Sequence, residues 1–121
     1  MGPAALVRAW RAPENRQASE MTELLDKINA LIEGSTRDLD QIEHTLTDGY
    51  AQALSLEGER WRLEKRISEV AQNLQRGDLA DKAVELSTLA QRLDGNADDL
   101  VKLRALLGDL RRRADDVRVA I

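Results

Sequence analysis

The strongest constraint on this chain is a heptad rhythm that runs through most of its length. Met21, Leu25, Ile28, Ile32, Ser35, Leu39, Ile42, Leu46, Gly49, Ala53, Leu56, Arg60, Leu63, Ile67, Val70 and Leu74 follow one another in alternating steps of four and three. The run is apolar except at Ser35 and Arg60, with Gly49 and Ala53 as small positions. A second run takes in Leu79, Lys82, Leu86, Leu89, Leu93, Asn96, Leu100, Leu103, Leu107, Leu110, Ala114, Val117 and Ile121, and only Lys82 and Asn96 interrupt its apolar character. Steps of three and four return to one side of an α-helix, so each run is the stripe a helix buries against a partner. The expected fold is all-α: a long antiparallel helical hairpin, coiled-coil-like, assembling into a helical bundle.

Gln75-Arg76-Gly77-Asp78 separates the two runs. Gly77 can take the left-handed conformation that ends a helix, and Asp78 can cap the next one. Asp81 adds a negative charge at the positive end of that helix. The hairpin turn is therefore assigned to Arg76, Gly77 and Asp78, with Asp81 in the first turn beyond. So short a connection forces the helices to lie antiparallel. Charge agrees with this: acidic Glu33, Asp38, Asp40, Glu43 and Asp48 would lie beside Arg104, Arg111, Arg112, Arg113 and Arg118. Each pair contributes little, but together they select the pairing.

The expected organisation is a flexible tail over 1–18 and a hairpin over 19–121, with helix 1 at about 21–75 and helix 2 at about 79–120. Helix 2 would be roughly 60 Å long and would reach back only to about Ile32. A break at Glu33-Gly34-Ser35-Thr36, where Ser35 and Asp38 resemble a capping box, is the alternative to one continuous helix 1. The unbroken rhythm favours continuity. The tail holds both prolines, Pro3 and Pro13, and Met21 is an alternative start. Leu6, Val7 and Trp10 with Arg8 and Arg11 could touch a membrane surface, over a stretch too short to hold alone.

Composition narrows the function classes. Aromatics make up 2% of the chain, as Trp10, Tyr50 and Trp61, so Leu, Ala, Ile and Val must fill the core. That suits helical seams better than a sandwich or barrel. Charged residues reach 33%, as in long helices and coiled coils. The chain has no Cys and a single histidine, His44, beside Glu43 and Thr45 on a polar stretch. Thiolate metal sites and disulfides are excluded, and a typical zinc site has too few ligands. No phosphate loop, nucleophile elbow or dinucleotide fingerprint is present. No enzymatic activity, cofactor, metal or small-molecule ligand is expected. The net charge of −4 argues against direct nucleic-acid binding. No apolar run approaches the length that spans a bilayer, and a cytoplasmic location is expected.

The apolar face is wider than a two-stranded coil needs. Leu24 and Leu31 flank the first seam, Tyr50, Leu54 and Trp61 form a neighbouring stripe, and Val101 and Leu106 widen the second seam. A lone hairpin would leave such a strip wet. The expected partner is therefore a second copy of the chain, giving a homodimeric four-helix bundle, or another helical protein. Leu54, Trp61, Leu103, Leu106 and Leu107 are the assembly candidates. Asn96 and Arg60, polar at seam positions, are candidates for fixing register, and Arg60 beside Trp61 is equally a candidate contact for another protein.

Gly77-Asp78-Leu79-Ala80-Asp81-Lys82-Ala83 resembles the coiled-coil tip of the Gre transcript-cleavage factors. In that family a Gly-Asp-Leu-x-Glu-Asn-Ala run caps a hairpin inserted into the secondary channel of RNA polymerase, and its two acidic residues help hold the catalytic Mg²⁺. The resemblance implies that role for Asp78 and Asp81, with polymerase and substrate supplying the other ligands. This sequence departs from the pattern at Lys82, where the family has Asn, and at Val84-Glu85, where it has Glu-Tyr. The seam also continues to Ile121 where the family has a globular domain. Small secreted hairpins of the WXG type are similar in length, but Trp61 is followed by Arg62-Leu63 rather than by their Trp-x-Gly turn.

Overall fold

The computed structural model describes residues 20–34 and 37–120. The expectations for the tail over 1–18, for Ser35 and for Ile121 lie outside the described residues. The protein is all-α, with no strand among the described residues. Helix α1 covers 20–33, α2 covers Leu39–Gln72 and α3 covers Leu79–Ala120.

Helices α2 and α3 form the expected antiparallel hairpin. Asn96 Nδ2 donates to the Leu56 carbonyl at 2.9 Å. Arg66 donates to Glu85 at 2.6 Å, and Arg104–Glu57 and Arg118–Glu43 pair further from the turn. The helices approach closely at Gly49, where a Cβ would collide with the Leu107 side chain. Gly77 closes the turn with φ +95°, a conformation that costs other residues strain. Asp78 accepts from the Ala80 N–H at 2.9 Å, capping α3. Lys82 does not join the seam. Its Nζ donates to the carbonyls of Asn73 and Arg76 and so satisfies the open C-terminal end of α2.

The reading of 21–75 as one helix is corrected here. The Gly34 N–H still donates to the Ala30 carbonyl at 2.9 Å, after which the helix stops. Asp38 caps α2 by accepting from the Gln41 N–H at 3.2 Å. Helix α1 then folds back over the hairpin. Glu20 and Met21 line a cleft with Leu56 and Asn96, while Thr22, Leu25 and Asn29 lie beside Lys102 and Leu106. The physical reason is burial. A continuous helix would carry Ile28 and Leu31 past the end of α3, whereas folding back leaves them 0% and 6% exposed.

The interior divides into two clusters. The larger one joins Met21, Ile28 and Leu31 of α1 to Ile42, Leu46, Ala53 and Leu56 of α2 and to the α3 leucines from Leu100 to Leu110. The smaller one is Leu63, Val70 and Leu89, with Ile67, Leu86 and Leu93 packed against it. The division falls at the level of Arg60 and Asn96, and the described part of α1 reaches that same level at Glu20 and Met21. The molecule is thus a three-helix base carrying a two-helix arm.

Candidate interaction face

Helix α1 covers one side of the hairpin and leaves the other open. On the open side Tyr50, Leu54 and Trp61 follow at spacings of four and seven, which places them on one stripe of α2. They are 44%, 68% and 62% exposed. Across the groove, Val101, Arg104, Gly108 and Arg111 make the matching stripe of α3, and Val101 is 70% exposed. Tyr50, Leu54 and Glu57 on one wall and Arg104, Gly108 and Arg111 on the other enclose a groove of about 500 Å³, with Ala53 and Leu107 contributing to its lining. Lys65 Nζ sits 5.2 Å from the centre of the Trp61 ring, a cation–π contact that holds the indole against α2.

The walls differ in charge. Glu43, Glu57 and Glu64 belong to the α2 side, and Arg104, Arg111 and Arg118 to the α3 side. The Arg118 guanidinium is held above its ordinary pKa, chiefly by its hydrogen bond to Glu43. Arg66, nearer the turn, is raised in the same direction by its bond to Glu85.

The assembly candidates separate into two groups. Leu54 and Trp61 are exposed, as a contact for another chain requires. Leu103 and Leu107 are 0% and 3% exposed inside the chain's own core, and Leu106 is partly buried against the same cluster on the α1 side. Those three leucines belong to the three-helix base, because α1 supplies the covering that the wide seam demanded. Asn96 is buried between α2 and α3, with Nδ2 bound to the Leu56 carbonyl and Oδ1 without a partner. Arg60 leaves the seam, lies exposed and bonds Glu64 of its own helix at 3.0 Å. Its long stem lets the charge escape to solvent, so it joins nothing across the helices.

Gly108, Glu57 and Arg111 were not legible as candidates singly. The available signal was the repeat of three and four through Val101, Arg104, Gly108 and Arg111, which runs beside the buried seam rather than on it. At the tip, Arg76, Gly77, Asp78 and Asp81 lie together, and Asp78 and Gly77 serve the turn as expected. No group of three or more His, Asp or Glu side chains suited to a metal ion occurs among the described residues, and no described helix is long and apolar enough to cross a membrane. No protein-family model, curated protein or solved structure matches this chain.

Proposed function

We propose that this protein is a non-catalytic helical interaction module that works by self-association through the hairpin face opposite α1. The observation that carries the reading is the stripe of Tyr50, Leu54 and Trp61, with Val101 beside it, left largely in solvent although α1 covers the other side of the hairpin along the base. Aromatic side chains are large buriable surfaces, and Trp and Tyr are enriched where proteins bind one another. Exposed apolar patches of this kind mark contact sites in soluble proteins. The alternative in which Asp78 and Asp81 serve a metal in RNA polymerase has no comparable support, because the Asp78 carboxylate caps α3.

Light scattering on the full chain over a range of concentrations tests the proposal. A mass of twice 13.5 kDa is expected. Trp61→Ala and Leu54→Ala should shift it toward the single-chain value while leaving helicity unchanged, since neither side chain is packed in the core. An unaltered mass for both variants would sink the assignment.

A further inference from the structure

Resting on that reading, we infer that two copies pack groove to groove with their hairpin turns pointing the same way, α2 of each lying along α3 of the other. Two-fold contacts join one patch to itself, so the patch must complement its own rotated image. Only two arrangements bring this face against itself. Rotation about an axis along the groove places α2 on the other copy's α3 at the same level. Rotation about an axis across the helices places α2 on α2 and α3 on α3.

Charge separates the two. The first arrangement sets Glu43 and Glu57 against Arg104, Arg111 and Arg118, twice over, while Glu64, nearer the turn, comes over Ala90 and Asp94. The second opposes glutamate rows to each other and arginine rows to each other, and such like-charge juxtaposition rejects an arrangement more strongly than opposite charges reward one. Asp94 and Asp115 also lie on the arginine row, Asp115 bound to Arg118 at 3.0 Å, and within each copy Arg104 and Arg118 pair with Glu57 and Glu43 across the groove, so the second copy extends an alternation of charge already present. Lys65, within the glutamate row, lies over Trp61.

Size separates them in the same sense. Tyr50 and Gly108 line the groove at one level. Rotation about the groove therefore lays the tyrosine of each copy over the other's glycine, and a Cβ at Gly108 meets nothing within 4 Å in the single chain. Leu54 comes over Val101 and Arg104. Trp61 comes over Asp94, with Ala90 and Ala97 on either side of it on the same stripe. The other rotation stacks the three large side chains on themselves and leaves the small residues facing one another.

The chain contains no cysteine, so Gln75→Cys carries one spin label per copy at the turn. Dipolar distance measurement on the labelled full-length dimer should give a separation below about 30 Å, two packed hairpins being about 10 Å between helix axes. The reverse arrangement gives about 60 Å, because the turn lies about 32 Å along the hairpin from Leu54 and the two displacements add. In parallel, Gly108→Leu should raise the dimer dissociation constant at least tenfold in light scattering with unchanged helicity, and Gly95→Leu, on the α1 side, should leave it unaltered. A long label distance, or a dimer indifferent to Gly108→Leu, overturns this arrangement while self-association stands. A single-chain mass at every concentration overturns both.

Discussion

Gly49 and Gly95 both sit inside long helices, where glycine costs roughly 1 kcal/mol relative to alanine, yet alanine would meet opposite fates at the two positions. At Gly49 the added methyl runs into Leu107. Gly49→Ala is expected to destabilise the fold by about 1–3 kcal/mol despite the better helix propensity, since a packed core resists overfilling. At Gly95 nothing lies within 4 Å, and Gly95→Ala should stabilise by up to about 1 kcal/mol. Urea unfolding of the two variants checks the pair, and a stabilised Gly49→Ala would mean that α2 and α3 do not approach closely there. From the sequence, Gly49 was legible as a small seam position, because it keeps the rhythm of four and three. Which residue fills the space above it was not, since that depends on the stagger between α2 and α3. The same limit hid the division of Leu54 and Trp61 from Leu103 and Leu107. All four are large apolar residues, but Leu103 and Leu107 lie on the α3 seam, where α2 covers them and Leu107 meets Gly49, whereas Leu54 and Trp61 lie beside the α2 seam on the side that α1 leaves open. Lys82 was legible as a breach in the seam, but its service to the carbonyls of Asn73 and Arg76 depends on the turn's three-dimensional path.

Helix α1 shows what periodicity can and cannot specify about an element. A segment that continues a coiled coil and a segment that folds back onto it need the same stripe of apolar residues. The run from Met21 through Ile28 to Ile42 was therefore compatible with both, and its unbroken phase favoured the wrong one. The signals for the break were Gly34, a poor helix residue, and Asp38, a good cap placed before Leu39. The element is held by burial. Ile28 is 0% exposed within a cluster that also draws on α2 and α3, so Ile28→Ala is expected to cost about 2–5 kcal/mol. The loss should register as a lowered urea midpoint and as faster amide exchange along α1 and the facing part of α3. A change of under about 0.5 kcal/mol would mean that α1 does not pack on the hairpin. The turn is the contrasting case. Gly77 and Asp78 act through local backbone chemistry, which the sequence states directly, and both were legible for that reason.

The whole molecule is uneven along its length. Among the described residues the base holds thirteen buried apolar residues from three helices, and the arm beyond Asn96 holds three from two. Stability follows buried apolar contact, and regions poor in it open before the rest. Amides of the arm, over 63–72 and 80–93, are expected to exchange with solvent at a lower opening free energy than those of 42–56 and 100–117. Hydrogen-exchange mass spectrometry distinguishes this from uniform protection, which would mean that the hairpin opens as one unit. The all-helical class and the antiparallel hairpin could be read from the sequence because rhythm and turn are local. The uneven core could not, since it arises from how far along the hairpin α1 folds back. Asn96 lies level with Glu20 and Met21 of α1, and that coincidence sets a mechanical boundary. The base behaves as a stiff handle and the arm as a lever about 25 Å long at 1.5 Å per residue. A sideways force on the turn reaches the handle as a torque about Asn96, and the lever bends there before the handle yields.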